Sequence, residues 1–227
     1  MYDVSELHGH IRSQILGANL PMKSIGMEFS DLDPSPTVDA VKKWVDNVRS
    51  EKVIQAIGQP LCGMGLMLVG EPGHGKTTLA SVAVQELVRT MPRLAWGNPV
   101  GTVRRPVYFS DYPKLLRLKQ AQWSEPDDDA QILLDGINGD ADREHNVKVF
   151  VLDDLGKEYR TASGWAENTF DSLLRSRFNA GLPTIVTTNV PLKKWGEVYG
   201  EPMGSFAYEA FVSLALQSPV GDRRKRN

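Results

Sequence analysis

The sequence GEPGHGKT spans Gly70 to Thr77 and decides the fold class. It follows the apolar run GLMLV, which is typical of a buried strand, and precedes TLASVAVQELV, whose apolar spacing predicts a helix. Gly70, Gly75, Lys76 and Thr77 match the pattern G-x-x-x-x-G-K-[ST] in its required context of strand, loop and helix. Such a loop binds the phosphates of a nucleoside triphosphate, because its glycines let successive backbone N–H groups turn toward one anion. In this chemistry Lys76 supplies charge for the β- and γ-phosphates, and the Thr77 hydroxyl is a ligand for Mg²⁺.

A second motif supplies acidic and amide side chains at strand ends. Asp153 and Asp154 follow the apolar strand in VFVLDDLGKE, and Asp153 fits the carboxylate that such a site needs to hold Mg²⁺ through water. We expect Asp154 to polarise the attacking water, with capping of the following turn as the alternative. Asn189 ends the strand PTIVTTN, where it would sense the γ-phosphate or orient water; an ordinary strand-ending turn explains it equally well.

Short apolar runs alternate with helical stretches along the chain. The predicted strands are GLMLVG, PVYFS, KVFVLDD and PTIVTTN, and the helices between them are TTLASVAVQELVRT, YPKLLRLKQAQW and GWAENTFDSLLRSRFNAG. This alternation predicts a parallel sheet with helices on both faces. The spacing also predicts a preceding helix that is capped by Thr37 and has an apolar stripe of Val38, Val41, Trp44, Val45 and Val48. SEPDDDA and GINGDADREHN are polar and are predicted to be surface loops.

The composition limits the classes of protein and of metal site. The chain has 227 residues and a formal net charge of −2 at pH 7, so contact with nucleic acid must come from local basic patches. Its single cysteine, Cys62, excludes an internal disulfide and a cysteine-based zinc module and fits a reducing compartment. The sequence shows no signal peptide and no apolar run of bilayer-spanning length, so we expect a cytoplasmic protein that does not enter a membrane.

Together these motifs resemble the AAA+ branch of the P-loop ATPases, in particular the DnaC/DnaI-type helicase loaders and the related IstB-type transposition ATPases. The matching text is GEPGHGKTTLA, VFVLDDLGKE, SGWAENTFDSLLRSRFNAGLPTIVTTN and the closing GDRRKR, and the resemblance covers about Ser24 to the C-terminus. It implies an α/β P-loop NTPase with a parallel sheet flanked by helices. The implied segments are an N-terminal arm and leading helix (1–58), an ATPase core (59–190), and a reduced C-terminal lid with a basic tail (191–227).

The resemblance also implies roles at the nucleotide site. ATP and Mg²⁺ are the implied cofactors, and Lys76, Asp154 and Asn189 (the last as sensor 1) are the implied catalytic residues. Thr77 and Asp153 would hold the metal ion. The residues implied to contact ATP are those of the loop and a sensor 2 arginine of the lid: Gly70, Glu71, Pro72, Gly73, His74, Gly75, Lys76, Thr77, Thr78 and Arg223 or Arg224.

By resemblance, the function is that of an ATP-dependent DNA-replication factor. Such a protein forms a homo-oligomeric ring or spiral on single-stranded DNA and loads or remodels a replicative DNA helicase. One alternative is an IstB-like ATPase acting on duplex DNA, and the other is an adaptor that holds ATP with little hydrolysis. The partner stays open, because these loaders carry a helicase-gripping N-terminal domain and little of this sequence precedes Ser24.

The adaptor alternative follows from Ala210, which occupies the position aligned with the trans-acting arginine of the family. A neighbour-supplied arginine contributes several orders of magnitude to phosphoryl-transfer rates in such enzymes, so its loss predicts slow turnover. Arg160, Arg175 and Arg177 are the substitute candidates, although Arg175 and Arg177 also fit a solvated helix face.

Basic residues surround the second predicted strand. Single-stranded DNA is bound by cations along its backbone and by stacking aromatic rings, so this cluster, with Tyr112 beside it, is a candidate contact for single-stranded DNA. The alternative is an ordinary solvated helix face whose leucines pack inward. The cluster consists of Arg104, Arg105, Lys114, Arg117 and Lys119.

Overall fold

The centre of the fold is a parallel sheet. The computed structural model describes residues 1–50, 63–91, 105–142, 144–156 and 164–216. Across these residues the strands are β1 (Gly65–Val69), β2 (Val107–Asp111), β3 (Val149–Leu155), β4 (Thr184–Thr188) and β5 (Phe211–Ala215). They lie in the order β2-β3-β4-β1-β5, and each neighbouring pair is parallel. The four strands predicted from the sequence and their parallel arrangement are therefore confirmed.

Helices cover both faces of this sheet. One face packs against α1 (Gly9–Gly17), α2 (Pro36–Arg49) and α3 (Lys76–Thr90), with Leu66 and Leu68 of β1 in that core. The other face packs against α4 (Tyr112–Ser124), α5 (Asp128–Asn138), α6 (Trp165–Asn179), α7 (Trp195–Tyr199) and α8 (Glu201–Ala210). Alternate residues of β1 enter the two cores, as the two-residue period of a strand requires. In the part of the chain that the structure describes, no helix is long and apolar enough to cross a membrane.

The predicted apolar stripe of α2 is confirmed, since all five of its members are buried. The predicted cap is wrong: the helix begins at Pro36, and the Ser35 side chain accepts a hydrogen bond from the Val38 backbone N–H. Proline has no backbone N–H, and an N–H at the first helical position would have no intrahelical acceptor, so Pro36 can begin the helix and the cap lies two residues before Thr37.

Two elements differ from the sequence-based expectation. The helix α5 takes up parts of both predicted loops, because Asp127 caps it by accepting from the Ala130 N–H and because Leu134 and Ile137 bury its inner face. The strand β5 lies in the segment assigned to the lid, yet it pairs with β1 over its whole length. Residues 211–215 therefore extend the core sheet, while the division into three segments remains a prediction.

The strand order brings distant parts of the sequence to one edge of the sheet. β4 lies between β1 and β3, so the carboxyl ends of these three parallel strands are adjacent. The loop that begins at Gly70, the aspartates of β3 and Asn189 after β4 all lie at this edge. In open α/β sheets the ligand binds at the carboxyl ends of the strands.

The N-terminal residues pack on α3, the helix that follows the phosphate loop. Gln85 of α3 is 1% exposed, and its Oε1 accepts hydrogen bonds from the Tyr2 hydroxyl (3.0 Å) and the Gly26 N–H (2.9 Å). Its Nε2 donates to the carbonyls of Ser24 (2.8 Å) and Ser81 (3.1 Å). One buried amide therefore fastens the N-terminal arm to the helix that begins at Lys76.

We expect Gln85→Ala to destabilise the fold by about 2–4 kcal/mol, because it leaves buried backbone groups of the arm without partners. The control is Gln120→Ala, which removes an exposed glutamine of α4 and should change stability by less than about 0.5 kcal/mol. Urea denaturation followed by circular dichroism gives both values. Equal effects of the two substitutions would contradict the role of Gln85.

Candidate nucleotide and magnesium site

The loop from Gly70 to Thr77 has the backbone conformation of a phosphate-binding loop. Gly73 and Gly75 have φ angles of +85° and +84°, a region that glycine adopts without strain. At Gly75 no atom lies within 4 Å of the place that a Cβ would take, so conformation, not crowding, calls for glycine there. The first turn of α3 has N–H groups without intrahelical partners, and these can donate to an anion.

Lys76 lies inside this loop. Its side chain folds back so that Nζ donates to the carbonyl oxygens of Gly70 (2.7 Å) and Glu71 (3.0 Å), and the residue is only 9% exposed. Phosphate oxygens are stronger acceptors for an ammonium group than neutral carbonyls are. The position and charge of Lys76 therefore suit the predicted contact with a triphosphate.

The end of β5 runs beside the same loop. The Leu216 N–H donates to the carbonyl of Val69 (2.6 Å), and the Leu216 carbonyl lies 3.2 Å from Nδ1 of His74. The chain toward the predicted sensor 2 arginines thus leaves the sheet next to the phosphate loop. Arg223 and Arg224 themselves lie outside the described residues.

The two predicted metal ligands meet. The Thr77 hydroxyl donates to the Asp153 carboxylate, with distances of 2.9 and 3.1 Å to its two oxygens, although the residues are 76 positions apart. Burial raises the pKa of Asp153, and this is opposed by hydrogen bonds from Thr187 and Thr77 and by the charge of Lys76. Hydroxyl and carboxylate oxygens are the hard ligands that Mg²⁺ prefers, and a cation would stabilise the buried carboxylate. The donor set therefore fits magnesium.

A β-bulge places the two aspartates. Leu152 pairs with Val186 and Leu155 pairs with Thr188, so Asp153 and Asp154 together oppose the single residue Thr187. Asp154 has a φ angle of +58°, which is uncommon for a residue other than glycine. Such bulges occur next to active sites, where they redirect side chains. The bulge frees Asp154 from the alternation that a regular strand would impose.

Thr187 is the residue of this site that the sequence analysis missed. Its hydroxyl donates to Oδ1 of Asp153 (2.6 Å) and accepts from the Asp154 N–H (2.9 Å). The signal was present in PTIVTTN, because a hydroxyl in a buried strand needs a polar partner.

Asn189 lies at the end of β4 beside the chain that follows the aspartates. Its Oδ1 is so close to Gly156, whose φ is +112°, that a Cβ there would come within 2.8 Å of it. The turn after β4 is closed by the Thr188 hydroxyl, which accepts from the Val190 N–H at 3.0 Å. The Thr188 hydroxyl therefore closes the turn that the alternative interpretation attributed to Asn189. The role of Asn189 as sensor 1 remains a prediction.

Arg177 has neither of its predicted roles. It is fully buried, so it is neither part of a solvated face nor able to reach a neighbouring subunit. Its guanidinium donates to Oγ1 of Thr184 and to four backbone carbonyls, and burial lowers its pKa to about 9. The carbonyls belong to Ile137, Val147, Lys148 and Pro183, at distances of 2.6 to 3.3 Å.

Three other positions were considered for a trans-acting arginine. Arg175 pairs with the Asp171 carboxylate at 2.9 and 3.0 Å, and its guanidinium stacks 4.5 Å from the ring centre of Phe206, so it joins α6 to α8. Ala210 is 2% exposed at the end of α8, inside the second core. Arg160 lies outside the described residues.

Part of the predicted basic cluster borders a cavity of about 360 Å³ between β2, α4 and α5. Lys114 and Arg117 are exposed at this cavity, together with the aromatic ring of Tyr108. Lys119 is partly buried, which lowers its pKa, and its Nζ lies 3.4 Å from Oδ1 of Asn138. The remaining lining residues are Ser110, Leu115, Leu118, Leu133 and Ile137.

Two expectations about this cluster change. Tyr112 is 1% exposed, its hydroxyl donates to the Ala166 carbonyl and its ring packs on Phe170, so it cannot stack on a base. Tyr108, which the sequence analysis did not single out, is the aromatic residue that faces the cavity. Arg105 is half-buried just before β2, and Arg104 lies outside the described residues.

Comparison with known proteins identifies the fold. No protein-family model matches the sequence, and no curated protein sequence matches it significantly. Among solved structures, the DnaC helicase loader is similar over 87% of this chain and 100% of its own (TM-score 0.58, 23% identity). DnaI is similar over 88% of this chain and 95% of its own (TM-score 0.59, 19% identity). AMPPCP-bound DnaA from Aquifex aeolicus matches 88% of this chain and 53% of its own (TM-score 0.56, 14% identity). The chain has the AAA+ P-loop NTPase fold of these proteins, as predicted.

We expect Arg177→Met to destabilise the protein by about 3–5 kcal/mol, because it leaves buried carbonyls without their donor. Arg175→Met is the matched control on the same helix. Its side chain is 39% exposed and its ion pair is local, so a loss of about 1 kcal/mol or less is expected. Chemical denaturation measures both losses, and a larger loss for Arg175→Met would contradict the structural role of Arg177.

Proposed function

We propose that this protein is an ATP-dependent DNA-replication factor that assembles on single-stranded DNA and loads or remodels a replicative helicase. The observation that carries the proposal is the contact between the Thr77 hydroxyl and the Asp153 carboxylate at 2.9 Å, beside a loop with phosphate-binding geometry. The similarity in fold to the DnaC helicase loader supports the choice of process. The single-stranded DNA and the helicase partner follow from that resemblance.

ATP and Mg²⁺ fit the residues at the carboxyl edge of the sheet. The amides of the loop and Lys76 would hold the phosphates, while Thr77 and Asp153 would hold the metal ion, which neutralises charge during phosphoryl transfer. The Thr77 hydroxyl donates a hydrogen bond to Asp153, so a lone pair of its oxygen remains for the metal. We assign Asp154 to polarise the attacking water and Asn189 to orient it, both from the same edge.

The C-terminal arginines are in range of the same site. Leu216 lies against the phosphate loop, and six residues lie between it and Arg223, so the seven steps along an extended chain would span up to about 23 Å. We assign Arg223 or Arg224 to the γ-phosphate on this basis.

Single-stranded DNA would bind at the cavity between β2, α4 and α5. Lys114 and Arg117 supply exposed cations for the phosphodiester backbone, and Tyr108 supplies an aromatic ring for stacking. Arg105 and Lys119 lie in the same part of the chain but are less exposed. We therefore assign the main contribution to Lys114 and Arg117.

A second candidate function is an adaptor that holds ATP but hydrolyses it slowly. It is favoured by the burial of Ala210 and Arg177 and by the intramolecular pairing of Arg175, because these positions then supply no arginine to a neighbouring site. ATP binding without turnover, in the presence of DNA and helicase, would select the adaptor over the enzyme.

We expect Lys76→Ala to weaken Mg²⁺-ATP binding by at least about 10-fold, since it removes a charged hydrogen-bond donor to the phosphates. Lys42→Ala is the control, because Lys42 is an exposed lysine of α2 outside the phosphate loop. Isothermal titration calorimetry measures both affinities. Undetectable ATP binding by the unmodified protein, or equal affinities of the two variants, would refute the nucleotide site.

We expect the double substitution Lys114→Ala/Arg117→Ala to lower the affinity for single-stranded DNA. The slope of log K against log[salt] should become shallower by about 1.4, because two phosphate contacts are lost. Lys42→Ala/Lys43→Ala makes the same charge change on exposed positions of α2 and should leave the slope unchanged. Fluorescence anisotropy with a labelled oligonucleotide at several salt concentrations gives both slopes. A preference of the unmodified protein for duplex DNA would favour the transposition-type alternative, and equal slopes would exclude this DNA site.

A further inference from the structure

Thr187 lies opposite both aspartates of the candidate site. It is 1% exposed on β4, the strand between the phosphate-loop strand β1 and the aspartate strand β3. Because of the bulge in β3, this one residue stands opposite both Asp153 and Asp154. No other residue of β4 faces two acidic residues in this way.

The direction of its hydrogen bonds is fixed by chemistry. The Asp154 N–H can only donate, so the Thr187 hydroxyl oxygen accepts this bond (2.9 Å). The one hydroxyl proton is then directed to Oδ1 of Asp153 (2.6 Å). Thr187 thereby links the carboxylate of one aspartate to the backbone of the next.

We infer that Thr187 is a positioning residue, which orients the Asp153 carboxylate for Mg²⁺ and holds the left-handed backbone of Asp154 in place. This inference rests on the proposed Mg²⁺-ATP site. Thr187 touches neither phosphate nor metal in this assignment and acts through the two aspartates. It deepens the proposed function by naming what fixes the geometry of the acidic pair.

The arrangement of donors around Asp153 explains why Thr187 is needed. Two hydroxyl groups hold this carboxylate, Thr77 from α3 and Thr187 from β4. Thr77 is itself an expected metal ligand, so its hydroxyl must serve both the metal and Asp153. Thr187 is not an expected metal ligand and lies on β4 between β1 and β3, so its hydrogen bond to the carboxylate does not compete with metal binding.

The bulge gives Thr187 a second task. A residue other than glycine in the left-handed region is strained, and this conformation persists only where the surrounding structure enforces it. At Asp154 the regular backbone pairing of β3 with β4 is interrupted. The Asp154 N–H donates instead to the Thr187 hydroxyl. One residue further, the Thr188 hydroxyl donates to the Leu155 carbonyl at 2.8 Å and restores the pairing.

This pair of threonines supplies a matched control. Both are buried on β4 and both hydroxyls bond to β3, but only Thr187 contacts an aspartate. Substitution by valine preserves the branched shape and removes the hydroxyl. Thr187→Val and Thr188→Val therefore differ in their effect on the acidic pair, while both remove a buried hydrogen bond.

The experiment is a Mg²⁺ titration of ATP binding by the full chain, followed with a fluorescent ATP analogue. For Thr187→Val we expect the half-saturating Mg²⁺ concentration to rise by about 10-fold or more, as for loss of one hydrogen bond to a charged group. Affinity for the analogue in EDTA should stay within about 3-fold of the unmodified protein, because Lys76 and the loop are intact. Thr187→Ser, which restores the hydroxyl, and Thr188→Val should both keep the Mg²⁺ requirement within about 3-fold of the unmodified protein.

The outcomes separate this inference from the proposed function. An unmodified protein that binds no ATP refutes the proposed function and the inference with it. ATP binding with an unchanged Mg²⁺ requirement in Thr187→Val, or an equal shift in Thr188→Val, overturns the role of Thr187 alone. If Thr187→Val does not fold, Thr187→Ala removes the same hydroxyl and is judged by the same thresholds.

Discussion

The hydrogen bond between the Thr77 hydroxyl and the Asp153 carboxylate depends on a constraint of the whole sheet, the insertion of β4 between β1 and β3. Thr77 follows β1 and Asp153 lies near the end of β3, and these two strands are not neighbours. The two side chains therefore meet across the carboxyl end of β4. β4 contributes Thr187 beneath this contact and Asn189 just beyond it. The strand order thus gathers a phosphate loop, an acidic pair and an amide at one edge, which is the arrangement that a magnesium-bound triphosphate requires.

The two ends of the sheet are stabilised by different means. At the carboxyl edge threonine hydroxyls hold a buried carboxylate and a strained left-handed residue. At the amino edge the buried guanidinium of Arg177 donates to the carbonyls of Val147, Lys148 and Pro183, directly before β3 and β4. A buried guanidinium therefore fixes the amino ends of β3 and β4, while the left-handed Asp154 lies at the carboxyl end of β3.

The helix α3 connects the candidate site to the N-terminal arm. Thr77, Ser81, Gln85 and Arg89 recur every four positions and so form one stripe along the helix. Within this stripe Ser81 donates to the Thr77 carbonyl at 2.8 Å and accepts from Gln85, while Arg89 pairs with Glu28 at 2.8 Å and stacks on a tyrosine ring of the arm. The arm is thus built onto the phosphate-loop helix, and its displacement would expose the buried Gln85 amide.

The sequence by itself determined the phosphate loop, the strand context, the acidic pair at Asp153 and the parallel sheet, because these depend on local spacing and on period. The tertiary structure alone decided which distant residues meet, for long-range pairing leaves no local signal. Thr187 looked like any strand threonine until a bulge set it against two aspartates. Arg177 looked like a surface arginine, because helical spacing shows only which face of the helix a residue is on. The buried backbone carbonyls that accept its hydrogen bonds are visible only in the tertiary structure. Likewise residues 211–215 were assigned to the lid, and only their pairing with β1 shows that they form a strand of the core sheet.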